Sequence, residues 1–215
     1  MILTQRSSKR HPKGFTLIEI FVVIAILATL ATMGWQANKM ITARRMNKTA
    51  EIQISQMELG MNSYRQDYGD VLPEGDGDEW SAHVLYKALY CDEDGDGEPD
   101  TDKKTGEPRV PYCENITPMG NIKKAAEVLN GIPAMRVSVR PPETKKKRKC
   151  FVIMDPWGKP YRYRLGYELK DERGRAGKGV NPDFDIFSQG PDGMGNGLTN
   201  LRDNEDNVSN IRSWE

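Results

Sequence analysis

Three rhythms of apolar and polar positions succeed one another along the chain. From Phe15 to Trp35 apolar residues run almost unbroken, 21 positions with a single charge at Glu19. At about 1.5 Å per residue a helix of that length covers ~30 Å, the hydrocarbon thickness of a bilayer. Past Trp35 the apolar residues fall three and four apart. Met40, Ala43, Ala50, Ile54, Met57, Met61, Tyr64 and Tyr68 make one seam, interrupted by Asn47, with Lys39, Arg44, Arg45, Lys48, Glu51, Glu58 and Arg65 opposite. No proline stands between Pro12 and Pro73, and Gly34 is only a weak breaker. The spacing therefore predicts one helix from Phe15 to about Tyr68, ended by Gly69, its upper seam packed on a sheet of the same chain. The same heptads also suit a coiled coil.

Beyond Gly69 the elements shorten. Trp80–Tyr90 reads as a helix with Val84, Leu85, Ala88 and Leu89 on its apolar face, and Asn121–Asn130 as another, stopped by Gly131. Arg136–Arg140, Cys150–Met154, Pro160–Leu165 and Phe184–Ser188 read as strands; in the third, Tyr161, Tyr163 and Leu165 alternate with Arg162 and Arg164. Asp155–Pro156–Trp157–Gly158 suits a type I turn. The last three strands are expected to form an antiparallel meander facing the long helix. The expected class is α+β, a long N-terminal helix on a small antiparallel sheet with loop insertions.

Composition adds a constraint. Only 37% of residues are apolar, and the first run takes many of them, so the remainder is thinly cored. Small polar domains draw stability from disulfides, metals or oligomerisation. Three cysteines, Cys91, Cys113 and Cys150, follow the apolar run. A Cys91–Cys113 bridge would close 23 residues, worth ~3 kcal/mol on the chain-entropy model, and would leave Cys150 odd; the other two pairings stay open. Within the bracketed segment, the stretch Asp92–Asp102 holds seven acids and no base. Asp92, Asp94, Asp96 and Asp100 occupy loop positions 1, 3, 5 and 9, with Gly97 at 6, a spacing that can fold oxygens around Ca²⁺. Lys103 stands where an EF-hand has its twelfth-position acid, and the segment resembles instead the short aspartate loops of thrombospondin type 3 and dockerin-like repeats. A solvated acidic loop is the competing reading. Lys145–Lys149 is a run of five bases without interleaved aromatics, read as a solvated loop, and no nucleic-acid partner is expected.

The first fourteen residues hold Arg6, Lys9, Arg10 and Lys13 and no acid, a basic flank that marks the cytoplasmic end of a span. Their removal would leave 27 basic against 31 acidic side chains. A carboxylate inside the span costs roughly 2.5–3.5 kcal/mol on insertion scales and calls for a partner. Cleavage after Gly14 would create one, the α-amino group of Phe15, four residues before Glu19. A secretory signal fits less well, because the run is long and Ala28 and Ala31 have the wrong spacing for its cleavage site.

Lys13–Gly14–Phe15–Thr16–Leu17–Ile18–Glu19 resembles the processing site of type IV pilin-like proteins. The resemblance implies cleavage between Gly14 and Phe15 by a prepilin peptidase, methylation of Phe15, Glu19 as the assembly glutamate, and a type IV pilin-like fold. On it the chain divides into a cleaved leader (1–14), a transmembrane part of the helix (15–35), its amphipathic continuation (36–69) and a periplasmic domain (70–215) with the cysteine-bracketed insert 91–113. A second stretch is similar to the major pseudopilin of type II secretion, the general secretion pathway protein G family: Asp155–Pro–Trp–Gly–Lys–Pro–Tyr161, then Asp185–Ile–Phe–Ser–Gln–Gly–Pro–Asp–Gly193, then Asp206–Asn207–Val208. In that family the last loop binds Ca²⁺. The carry-over makes Asp192 and Asp206 the side-chain ligands, assisted by Asn207 and the carbonyl of Gln189.

The resemblance implies a non-enzymatic subunit of a secretion pseudopilus, anchored in the bacterial inner membrane and assembled into a periplasmic filament. Its partners would be other pseudopilins, the prepilin peptidase, an inner-membrane assembly platform and a motor ATPase. A type IV pilus or competence pilin is the alternative within the class, and a membrane-anchored calcium-binding module the alternative outside it. Catalysis has little foothold: there is no usable histidine pair, His11 lying in the leader, and no nucleophile elbow or zinc spacing, and Gly193–Met–Gly195–Asn–Gly197 opens no helix and so makes no phosphate loop.

Overall fold

The computed structural model describes residues 15–69, 71–119, 131–144, 146–169, 174, 176–194 and 208–209, with 32–39 described as helical backbone only. The leader, the expected helix 121–130, Asp206 and Asn207 lie outside these residues. The chain divides into two compact units, Met1–Arg44 and Arg45–Glu215.

Helix α1, Leu17–Tyr68, is unbroken. Gly34 does not interrupt it, and Gly69 at φ +70° ends it as expected. In the first unit every described side chain from Phe15 to Ala31 is exposed, Phe15 at 82% and Ile18 at 71%. Such a continuous apolar surface needs a bilayer or neighbouring helices to cover it.

In the second unit α1 buries Ala50, Gln53, Ile54, Met57 and Met61. The seam therefore begins at Ala50; Met40 and Ala43, placed on it by periodicity, are exposed. Gln53 is the polar member that the pattern missed. Its amide donates to the Gly131 carbonyl (3.0 Å) and accepts from the Tyr161 hydroxyl (2.8 Å), so its burial leaves neither end unsatisfied. Helix α2, Glu79–Tyr90, is capped by Asp78, whose carboxylate accepts the Ser81 N–H at 2.8 Å, and stops where Cys91 turns left-handed at φ 59°. Its buried face, including Leu85, Tyr86 and Leu89, meets α1 in one core with Leu72, Tyr161, Tyr163, Phe184 and Ile186. Gly60 makes that approach possible. A Cβ there would lie 2.8 Å from Leu89 Cδ2 and 2.9 Å from the Tyr112 carbonyl oxygen. Gly60→Val is expected to cost about 1–3 kcal/mol by overpacking, read as a lower urea midpoint with an unchanged denaturant slope.

Among the described residues there are two three-stranded sheets, and the strands of the expected meander are divided between them. β1 (Ile116–Met119) runs parallel to β2 (Ile132–Val139), which pairs antiparallel with β3 (Arg148–Ile153). β4 (Arg162–Leu165) pairs with β5 (Phe184–Ser188), and β5 with β6 (Val208–Ser209), both antiparallel. β3 and the stretch before β4 meet at the turn through the Met154–Pro160 bridge and the hydrogen bond from Tyr161 N–H to the Ile153 carbonyl (3.0 Å), and the pairing does not run on into β4. Tyr161, Tyr163 and Leu165 point inward as their alternation predicts. Arg164 is buried too, which the alternation does not predict. Residues 75–77 run along β4 (Leu165 N–H to Gly75 O 3.0 Å, Gly77 N–H to Tyr163 O 2.9 Å), and a Cβ on Gly77 would sit 2.9 Å from the Arg164 guanidinium. Directly across the ladder stands Asp185, 3.6 Å from Arg164 and held by the N–H groups of Val180 and Asn181. Burial raises the Asp185 pKa and lowers that of Arg164, while each charge opposes the shift of the other.

Candidate functional site

Three groups carry the chemistry expected from the sequence. The first is the start of α1. Thr16 is the residue before the first helical one, and its N–H and hydroxyl both donate to Glu19 Oε2, at 2.7 and 2.8 Å. The Glu19 N–H reaches back toward Thr16 Oγ1 at 3.4 Å. This is a reciprocal capping box, Thr-x-x-Glu, worth about 1 kcal/mol to a helix end. Glu19 thus has a local partner that the charge argument overlooked, although the three-residue spacing from Thr16 announces it. Its Oε1 takes no hydrogen bond among the described residues, so a second donor can still reach the carboxylate. Phe15 lies one residue outside the cap, beside the expected scissile bond; Gly14, on its other side, lies outside the described residues. Among the described residues no helix is long and apolar enough to cross a membrane. The side chains of 32–39, which carry the apolar run on to Trp35, are outside the description, so a span over 15–35 rests on the sequence.

The second group is the insert. Its base is a narrow hairpin tied by Asp100 N–H to Cys91 O and Arg109 N–H to Asp100 O, both 2.8 Å. The Tyr112 hydroxyl donates to Asp67 (2.6 Å) and Arg109 donates to the Tyr68 hydroxyl, which pins the insert to the end of α1. Asp92, Asp94 and Asp96 come together, each offering an oxygen within 4.8 Å of the others. Asp100 is not in that group; its carboxylate accepts the Glu93 N–H at 2.7 Å. Asp92 is fully buried and accepts from Gly95 N–H (2.6 Å), Gly97 N–H (2.9 Å) and the Tyr86 hydroxyl (2.6 Å). Three of its roughly four acceptor positions are taken, so it acts first as the knot of the loop. Burial, with that contact, pushes the Tyr86 pKa far above its usual value. Asp94 and Asp96 are exposed and each accepts one backbone N–H, which leaves them free oxygens. Arg136 of β2 donates to the Gly95 carbonyl at 2.7 Å and lies over the Phe151 ring, docking the loop on the β2–β3 hairpin.

The expected Cys91–Cys113 bridge is not formed; all three cysteines are free thiols. The two sulfurs belong to different surroundings. Cys91 Sγ faces the Val110 carbonyl at 3.8 Å, while Cys113 joins the apolar core with Ile116 and Leu89. Burial raises the pKa of both, that of Cys113 to about 11, so neither holds appreciable thiolate near neutral pH.

The third group joins the Asp155 turn to the loop after β5. Buried Asp155 accepts the N–H groups of Trp157 (3.0 Å) and Lys159 (2.8 Å) on Oδ1 and the Ser188 hydroxyl (2.6 Å) on Oδ2. Ser188 Oγ in turn accepts the Gly190 N–H at 3.0 Å. Burial raises the Asp155 pKa, and these donors hold the rise in check. Lys159 Nζ donates to the carbonyls of Gly190 (3.2 Å) and Pro191 (2.9 Å). Arg162 donates twice to Gln189 Oε1, at 3.2 and 3.3 Å. The two stretches that resembled one family are thus one clasp in space. Ser188, Lys159 and Arg162 carry it and were not singled out by the sequence. Of the expected calcium set, Gln189 and Asp192 are described. The Gln189 carbonyl accepts the Gly193 N–H (3.2 Å), and Asp192 Oδ1 accepts the Met194 N–H (2.7 Å).

Comparison with curated proteins and with solved structures gives no match. Residues 9–35 match the prokaryotic N-terminal methylation motif, which supports a type IV pilin-like prepilin, a structural precursor that prepilin peptidase processes for pilus-like polymerisation.

Proposed function

We propose that the chain is a subunit of a type II secretion pseudopilus, cut after Gly14, methylated on Phe15 and polymerised through its apolar helix. The observation that carries this reading is the methylation motif set against the start of α1. The expected scissile bond precedes Phe15, one residue outside the helix cap, and the uncovered apolar side chains follow at once. After cleavage the new amine of Phe15 would be a cation within one helical turn of Glu19, and the amine of an adjacent subunit could approach Oε1. The clasp between the Asp155 turn and the loop after β5 favours the secretion form over a pilus or competence pilin. The domain would then stand in the periplasm, with other pseudopilins, an assembly platform and a motor ATPase as partners. Deleting the gene and assaying secretion and surface pili tests the choice: loss of an exported enzyme with pili intact supports it, and loss of pili or DNA uptake alone favours the alternative.

Calcium is a separate proposal, located at the insert loop on the grouping of Asp92, Asp94 and Asp96. Asp94→Asn with Asp96→Asn is expected to leave the melting point in chelator unchanged and to abolish any rise on adding calcium. Asp92→Ala is expected to destabilise with or without calcium, by about 2–4 kcal/mol, because it removes the acceptor of two backbone N–H groups and a buried hydroxyl.

A further inference from the structure

The loop after β5 is where a resemblance to calcium-binding pseudopilins places a divalent ion, and the described half of that loop does not fit one. Two protein cations already occupy its oxygens: Lys159 on the carbonyls of Gly190 and Pro191, and Arg162 on the side-chain oxygen of Gln189. The Gln189 carbonyl and one Asp192 oxygen are turned to the backbone N–H groups of Gly193 and Met194. A Cβ added to Gly193 would meet Lys159 Nζ, so the ammonium lies against the loop backbone itself. A divalent ion brought to these carbonyls would have to displace the ammonium, and like charges at such range repel strongly.

We propose that Lys159 is the resident cation of this loop, closing residues 189–193 by its ammonium where a metal ion would otherwise be required. The device joins the Asp155 turn to the end of β5, about thirty residues on. The Asp155 carboxylate fixes the Lys159 N–H, the turn aims the side chain across to Gly190, and the Ser188 hydroxyl ties the same carboxylate to the start of the loop. One acid therefore holds both the lysine and the strand end that it locks. Closure depends on a covalently attached charge and not on the calcium concentration outside the membrane. The proposal is independent of the filament reading, since it concerns the fold of the second unit alone.

Hydrogen exchange read by mass spectrometry on a peptide spanning residues 184–194 tests it in the full-length protein held in detergent. The expected result is the same exchange for wild type in calcium and in chelator, and exchange faster by about tenfold or more in Lys159→Met under both conditions, the effect of losing a charge-assisted hydrogen bond. Lys159→Arg is expected to retain protection. Peptides from α1 around Met57 report whether each variant is folded, so local opening is separated from global unfolding. Slowing of exchange in wild type on adding calcium would overturn the proposal, as would unchanged protection in Lys159→Met. Because the readout is confined to this loop, calcium bound at the insert does not register.

Discussion

Replacing Glu19 by valine is expected to abolish polymerisation while leaving the precursor in the membrane. Valine removes the only charge from the apolar run, so insertion becomes easier, not harder. It also removes two interactions. One is the capping box with Thr16, a loss of about 1 kcal/mol that frays the helix start. The other is the carboxylate that the Phe15 amine of a neighbouring subunit would neutralise. Two further variants separate them. Glu19→Gln keeps an acceptor for the cap without the charge, and Thr16→Val keeps the charge but not the cap. If assembly depends on charge, Glu19→Gln fails like Glu19→Val and Thr16→Val still polymerises, as read by pelleting and electron microscopy of membrane fractions. Polymers from Glu19→Gln and none from Thr16→Val would mean that the residue serves only to start the helix.

The largest loss of stability is expected from Asp155→Ala. Its carboxylate takes two backbone N–H groups and the Ser188 hydroxyl in a nearly solvent-free place. Alanine leaves those donors without their acceptor, a cost of about 3–5 kcal/mol at roughly 1.5–3 for each hydrogen bond to a charged group, less relaxation. In a chain of this size that lowers the melting point by about 10 °C. Ser188→Ala breaks one arm only and is expected to cost about 1–2 kcal/mol. The pH dependence follows from burial, which raises the carboxyl above its ordinary range in the folded protein. The folded state then binds the proton more readily than the unfolded one. The contribution of Asp155 is greatest in acid and declines as pH rises through its folded pKa, so the deficit of Asp155→Ala widens as pH falls from neutral toward about 4. Melting of the two proteins across that range checks the sign.

The elements that follow from local rules were legible in the sequence. α1 and its stop at Gly69, α2, and the strand Phe184–Ser188 follow from period and punctuation within a few residues. What escaped depends on contacts distant in sequence. Arg164 reads as an outward residue because alternation knows only one covered face; segment 75–77 and the loop around Val180 cover the other. The parallel partner of β2, Ile116–Met119, lacks an alternating signature, and without it the strands resolve into a false meander. Gln53 looks like a flaw on an apolar face until Tyr161, more than a hundred residues away, supplies its donor. The acidic loop shows the same limit. Spacing picks out Asp92, Asp94 and Asp96, whose carboxylates lie together, but only the fold reveals that Asp92 spends its oxygens on Gly95, Gly97 and Tyr86, and that Asp100 stands apart. In the sequence Lys159 reads as one residue of a turn, and its role appears only when Gly190 and Pro191 are brought beside it.

On the proposed reading a single cut converts the membrane precursor into a building block, and intact mass spectrometry of the protein purified from membranes measures that cut directly. A chain beginning at N-methylated Phe15, with Met1–Gly14 gone, is the predicted result. A chain that keeps its leader, or one cut beyond the apolar run, would contradict the account.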